Sequence, residues 1–386
     1  MPIKNLIIEY GSRDKSYYIS ISKELSKLRH RSEILEFLDK NQYINLIIVN
    51  QLIKKLSSVD IGLCIELFNS LTKYDTAIYN SFISAAGKNG QFTEARKAFM
   101  DARGVNLVDI ITYNSFIDAA GKNNQFDDAK EAFQEAKAKD LDDTFTYNSF
   151  IDAAGKNGRF DDARKAMMEA RKKNLTNTIT YATFIDIAGK HDRFDDARRA
   201  MMEAREKNLT NIVTYSTFID IAGKNGRFDD AKKAFDEAQK KQLANEITYN
   251  NFIDAAMKNE HKADALALAE VYKFPCVDKC IEKGEIDFHY ENASSIELIL
   301  DYLIKKEAQT PLKIITGKGL HSKDNFSPVK EKFISYSKSQ GIEFIQDKTN
   351  SGVYIINTLP KNIVLPFYSQ HKKESVSANY ESQCMQ

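Results

Sequence analysis

Proline is scarce and badly distributed. Its six copies stand at Pro2, Pro275, Pro311, Pro328, Pro360 and Pro366, so none interrupts the long middle of the chain and Pro275 marks its end. Cysteine is scarce too: four residues, Cys64, Cys276, Cys280 and Cys384, in 386 argue against a disulfide scaffold and favour a reducing compartment. Cys276 and Cys280 are four apart, but no second Cys or His pair stands at zinc spacing, so they read as two ordinary thiols. Charge of one sign is missing. Lys and Arg number 55 against 54 Asp and Glu, a formal charge of +1, so any nucleic-acid binding has to use local patches. No apolar run is long enough to span a bilayer. Glu9 and Asp14 among Lys4, Arg13 and Lys15 fit neither a secretory signal nor an acid-poor transit peptide. A cytoplasmic address is the expectation, with organellar or secreted-effector targeting left open.

What is abundant is repetition. Tyr79, Tyr113, Tyr147, Tyr181, Tyr215 and Tyr249 stand 34 residues apart and open nearly the same text, clearest over residues 146–164. A period of that length predicts stacked helical hairpins, because one hairpin cannot bury its apolar faces alone. Within a copy, Tyr147, Phe150, Ile151 and Ala154 share one face of a first helix, which Asn157 and Gly158 end. Phe160, Ala163, Met167 and Ala170 line a second, with Asp161 and Asp162 at its start and Lys172 and Lys173 at its end, both favourable to the helix dipole.

The expected organisation is an all-α solenoid of helical hairpins followed by a small α/β domain. Residues 1–41 read as an N-terminal helical cap, 42–75 as a degenerate helical repeat and 76–275 as six repeats. Residues 276–284 read as a linker, 285–359 as alternating strand and helix, and 360–386 as a polar, disordered tail.

A 34-residue period is that of the tetratricopeptide repeat, a peptide-binding module that wants a small residue at its eighth position and a late proline. Here Ile83, Ile117, Ile151, Ile185, Ile219 and Ile253 hold that eighth place, and the repeats lack proline. The motif Thr-Tyr-Asn-Ser-Phe-Ile-Asp…Gly-Arg-Phe-Asp-Asp-Ala instead resembles the pentatricopeptide repeat (PPR), an RNA-binding family, over roughly half the chain. The departure is length, since that repeat usually carries one more residue. The resemblance implies that each repeat reads one base through the residue after the Tyr and the last residue of the repeat. Those pairs are Asn80 with Asp109, Asn114 with Asp143, Asn148 with Asn177, Ala182 with Asn211, and Ser216 with Asn245; Asn250 begins a sixth whose last position is eroded. Short amide, hydroxyl and carboxylate groups can bond a base edge without filling a groove, and these positions vary from copy to copy. The family's code implies uracil, uracil, a pyrimidine, any base, then adenine. The plainer alternative is that Asn and Asp at these places only cap helices.

Ile111, Phe145, Ile179, Val213 and Ile247 precede each Tyr by two, where the family sandwiches bases; packing between hairpins would give the same pattern. Lys88, Lys122, Lys156, Lys190, Lys224 and Lys258 recur once per copy, where the family contacts phosphate. All but Lys88 follow an Asp by four residues, a helix-stabilising pair that is compatible with phosphate contact.

Three marks in the last third resemble the Smr (small MutS-related) nuclease family. Asp287-Phe-His289 ends a strand, Thr316-Gly317-Lys318-Gly319 follows the next, and Asn350-Ser351-Gly352 precedes the last. The resemblance implies phosphate held by backbone N–H groups at Gly317 and Gly319 with Lys318 adding charge, and His289 as acid or base beside Asp287. A divalent metal, Mg or Mn, is the cofactor it allows. Ile286 where Leu is usual and Tyr290 where Gly is common depart from the pattern; Tyr290 would narrow the site or stack on a base. The combined expectation is a single-stranded-RNA-binding array with an endonuclease domain. A non-catalytic RNA-binding factor and a tetratricopeptide-like scaffold for proteins are the alternatives.

Overall fold

The computed structural model describes residues 7–8, 15–41, 43–288, 291–317 and 327–360. Residues 361–386 of the expected tail (360–386), with His289, Tyr290, Lys318 and Gly319, lie outside the described residues. Two compact units divide the chain, 1–191 and 192–386. No helix among the described residues is long and apolar enough to cross a membrane.

The first unit begins with β1 (Ile7–Ile8), α1 (Lys15–Lys27), α2 (Arg31–Lys40) and β2 (Tyr43–Ile44), β1 pairing with β2 in parallel. The hairpin α3 (Leu46–Val59) and α4 (Ile61–Ser70) follows. Three repeat hairpins come next: α5 (Thr76–Lys88) with α6 (Phe92–Gly104), α7 (Ile110–Lys122) with α8 (Phe126–Ala138), and α9 (Thr144–Lys156) with α10 (Phe160–Lys172). α11 (Thr178–Lys190) ends the unit.

The reason for helix at these places is local. Each first helix starts at an Asp or Asn whose side chain accepts the N–H three residues on. From α7 the Thr at that third position answers by bonding the cap's own N–H, which satisfies two end donors at once. The turn inside each hairpin needs one left-handed residue, supplied by Gly90, Asn124 and Gly158. Stacking depends on close approach: a Cβ on Gly87 would lie 2.3 Å from the Ala119 Cβ, so the helix after it can pack only against glycine.

The same hydrogen bond then links successive first helices. Asn123 donates from Nδ2 to the Gly87 carbonyl (2.8 Å), Asn157 to that of Gly121 (3.0 Å), and His191 Nε2 lies 3.0 Å from that of Gly155. Asn89 continues the series backwards to the Ser57 carbonyl of α3 (2.9 Å).

The second unit holds α12 (Phe194–Glu206), α13 (Ile212–Lys224), α14 (Phe228–Lys240), α15 (Glu246–Lys258) and α16 (Lys262–Leu268). A five-residue π-helical stretch, Ala269–Lys273, leads into α17 (Phe274–Glu282), which carries Pro275 in its first turn. Beyond it come β3 (Glu285–Asp287), α18 (Ala293–Lys305), β4 (Leu312–Ile315), α19 (Pro328–Ser339), β5 (Glu343–Gln346) and β6 (Val353–Thr358). The sheet runs β3-β4-β6-β5, with β3 and β4 parallel and β6 antiparallel to both its neighbours. Ile286, Phe288, Ile296, Phe333, Tyr354 and Ile356 belong to its buried core. α18 also packs on α15, where Ser294 Oγ donates to Asp254 (2.6 Å) and Asn292 Nδ2 to the Asn250 carbonyl (3.1 Å).

Candidate nucleic-acid interface

The residue after Tyr79, Tyr113, Tyr147 and Tyr215 sits on the first helix beside the cap of the next one. Asn80 Nδ2 donates to Asp109 Oδ1 at 3.1 Å; Asn148 to Asn177 Oδ1 and Asn114 to Asp143 Oδ1 are longer, at 3.4 and 3.5 Å. In the second unit, Ser216 Oγ is 2.9 Å from Thr248 Oγ1, beside the Asn245 cap. Ala182 and Asn250 are buried, and Asn211 caps α13. Thus Asp109, Asp143, Asn177, Asn211 and Asn245 are helix caps, as the plainer alternative holds, and three of them also bond the residue with which the repeat pairs them.

Capping does not exhaust the site. The amide oxygens of Asn80, Asn114 and Asn148 are buried and accept no hydrogen bond. A buried polar atom left so costs about 1–3 kcal/mol, and each has its donating half tied to the neighbouring cap. The first three copies therefore each present an acceptor that a ligand's N–H would satisfy.

Beside these acceptors stand the apolar residues two before each Tyr. Ile111, Phe145, Ile179, Val213 and Ile247 are 54–60% exposed, which settles one question the spacing left open: they do not fill the space between hairpins. Exposed β-branched and aromatic side chains at a regular interval offer apolar surface on which a base can stack; the copy of Asn80 carries Ala77 at that place instead. α3 presents Ile47, likewise exposed, and Asn50 at the same two places, although it lacks the repeated text.

The lysine ladder is solvent-facing throughout. Lys122, Lys156, Lys190, Lys224 and Lys258 hold Asp118, Asp152, Asp186, Asp220 and Asp254 at 2.5–2.6 Å; Lys88 follows Ser84 instead. The exposed pairs are worth roughly 0.3–0.5 kcal/mol each, so a phosphate can recruit the ammonium group; Asp254 alone of these carboxylates is buried and also accepts from Ser294. The second helices use charge differently. Arg96, Lys130 and Lys137 reach Asp128, Asp162 and Glu169 of the following copy, and Lys232 reaches Asp264, all 32 residues on. Glu169 also accepts from the buried Tyr147 hydroxyl (3.0 Å). Burial alone would raise the Glu169 carboxyl, but Lys137 and Tyr147 hold it below the ordinary value.

At the sheet, Asp287 ends β3 opposite Ile315 and is exposed, while Thr316 follows β4 and is buried. Thr316 donates to the Gly352 carbonyl from its N–H (2.8 Å) and hydroxyl (3.2 Å), and Gly317 takes the left-handed backbone its motif needs (φ 76°). Ser327 caps α19 and lies 3.4 Å from the Thr316 carbonyl. Asp287, Thr316, Gly317 and Gly352 thus meet at one end of the sheet, where β3 and β4 finish and β6 starts. Among the described residues no group of three or more His, Cys, Asp or Glu could hold a metal ion.

Residues 77–105, 111–141, 145–175 and 213–243 match the PPR repeat family. No curated protein matches. Among solved structures, the chain is similar to the pentatricopeptide repeat protein PPR10 in complex with an 18-nt psaJ RNA element: 14% identity, TM-score 0.56, covering 85% of this chain and 48% of that one. PPR10 from maize matches at 18% identity and TM-score 0.41, over 77% of this chain and 47% of that one. Yeast Rmd9p with a 16-nt target RNA matches at 16% identity and TM-score 0.38, over 84% and 69%. The chain spans about half the length of the PPR10 chains. Four segments of the chain thus match the PPR repeat, in a predominantly helical repeat fold similar to that of PPR10.

Proposed function

We propose that the protein binds single-stranded RNA by sequence and that its C-terminal segment is an Smr-type endonuclease acting on the bound strand. The observation that carries the first half is the row of buried, unsatisfied amide oxygens at Asn80, Asn114 and Asn148, each beside the next helix cap and flanked by exposed apolar side chains. Bases slide between the apolar residues and their edges meet the paired side chains; the ladder from Lys88 to Lys258 follows the phosphates. That PPR10, similar in fold, is bound to RNA agrees with this reading. The pairs favour the order uracil, uracil, pyrimidine, any base, adenine.

The second half rests on the meeting of Asp287, Thr316, Gly317 and Gly352 at one sheet end. There Gly317 and Gly319 would offer N–H groups to a phosphate with Lys318 beside them, His289 would move a proton to or from the reacting oxygens, and Asp287 would orient His289. Because the described residues gather no metal site, no step is assigned to a metal, and dependence on Mg²⁺ or Mn²⁺ is left to the assay.

RNAs carrying the five-base pattern and scrambled controls, incubated with the protein with and without Mg²⁺ or Mn²⁺, test both halves. Selective cleavage that Asp287→Ala with His289→Ala abolishes supports the full reading. Selective retention without cleavage reduces it to a binding factor, and absence of both removes it. Six phosphate contacts at about −0.7 each predict a slope of log K on log[salt] near −4; a slope flatter than about −1.5 excludes the lysine ladder.

A further inference from the structure

We infer that the hairpin of α3 and α4 is a further base-reading position, with Asn50 and Asp75 taking one more nucleotide next to that read by Asn80 and Asp109. The inference rests on the RNA reading proposed above and extends it to a hairpin that the PPR family match, beginning at residue 77, does not include.

Four observations place α3 in the series, each counted from the helix cap. Asn45 caps α3 by accepting the Ile48 N–H (2.9 Å), as Asp75, Asp109 and Asp143 cap α5, α7 and α9. Two residues after the cap stands Ile47, 65% exposed, where Ile111 and Phe145 stand in later copies. Five residues after it stands Asn50, whose amide oxygen is buried and accepts nothing, as at Asn80, Asn114 and Asn148. Twelve residues after it stands Ser57, whose carbonyl accepts from Asn89 as Gly87 accepts from Asn123. The last match matters most, because it fixes the register of α3 against α5 to that of α5 against α7.

The apolar face agrees. Val49, Leu52, Ile53 and Leu56 are buried at the offsets that Tyr79, Phe82, Ile83 and Ala86 occupy in α5. α3 thus has the packing of a repeat helix without its text. The next cap is Asp75, which accepts the Ile78 N–H at 2.8 Å and follows Asn50 in the series of caps as Asp109 follows Asn80. A core packed for folding alone gains nothing from a large exposed isoleucine and a buried orphan acceptor, but a base edge entering beside Ile47 satisfies the second and covers the first. Because Asn50 and Asp75 repeat the Asn and Asp of the following pair, the base is the same, uracil.

The test uses six-base RNAs in which one nucleotide, U, A, C or abasic, is added beside the first uracil of the pattern. Wild type should bind the U-extended RNA at least about fivefold more tightly than the A-extended or abasic one. Asn50→Ala should lose that preference and keep the preference at the neighbouring uracil; the substitution removes an unsatisfied atom, so folding is not at risk. Asn50→Ser with Asp75→Asn, which keeps the cap, should move the preference to A, in the manner proposed for Ser216 and Asn245. If wild type discriminates along the five-base pattern but ignores the added base, α3 is structural and the inference falls while the RNA reading stands. If no RNA binds, both fall.

Discussion

The repeats and the sheet segment hold aromatic side chains in opposite ways. In the repeats the contact recurs: Phe99 stacks on Phe116, Phe133 on Phe150 and Phe235 on Phe252, with ring centroids 4.0–4.3 Å apart. Each copy leans on its neighbour, so stability there is a sum of local terms. In the sheet segment Phe333 is a single hub, fully buried against Phe288, Phe344 and Tyr354. Redundancy makes one region tolerant, and its absence makes the other brittle. The largest effect should therefore come from Phe333→Ala, a truncation of a kind that costs about 3–5 kcal/mol. Amide hydrogen exchange should show β4 and β6 losing protection while α7 to α10 keep theirs. Equal loss in α7 to α10 would break the contrast.

The two regions also differ in how they meet acid. Burial pushes the Asp301 carboxyl up from 3.8 to about 6, although the Tyr336 hydroxyl donates to it at 2.6 Å. A folded value above the unfolded one means that the contribution of Asp301 is complete below 3.8 and lost as pH rises through about 6. In the repeats, burial would raise Glu135 and Glu169, but their lysine and tyrosine partners hold both below 4.5, so their contribution is present above that value and lost as pH falls. Asp301→Asn should thus raise the urea midpoint at pH 7.5, with the gain vanishing near pH 4. A gain that is the same at both pH values would show that the buried charge is not its cause.

Legibility divides along the same line. Period, caps and apolar faces of the repeats could be read because each position is sampled six times. The exposure of Phe145 and Ile179 could not, since a base platform and a packing residue share one spacing and only the neighbouring helices decide. Asn50 escaped because its cap, Asn45, precedes the next by 30 residues rather than 34 and its helix shares no text with the others. The pairing of Ile7–Ile8 with Tyr43–Ile44 was illegible for a different reason: two-residue strands carry no periodicity. In the sheet segment the element order was legible. Nothing repeats there to separate a site from a turn, and the geometry of Asp287, Thr316 and Gly352 had to come from strand register.

The smallest effect gives the finest test, because it separates two sets of charges within the repeats themselves. Lys156 and Asp152 pair along one helix at 2.5 Å, whereas Lys137 and Glu169 pair between copies at 2.7 Å. The first pair lies on the ladder assigned to phosphate, and the second is tied to the Tyr147 hydroxyl through Glu169. Asp152→Asn should cost no more than about 0.3–0.5 kcal/mol of stability. It should strengthen RNA binding, since it frees an ammonium group and removes a negative charge beside the strand. Lys137→Gln should do the reverse, lowering the urea midpoint and leaving RNA affinity at fixed salt unchanged. Were both substitutions to shift affinity equally, the protein would be responding to net charge alone, and the ladder from Lys88 to Lys258 would lose its special place.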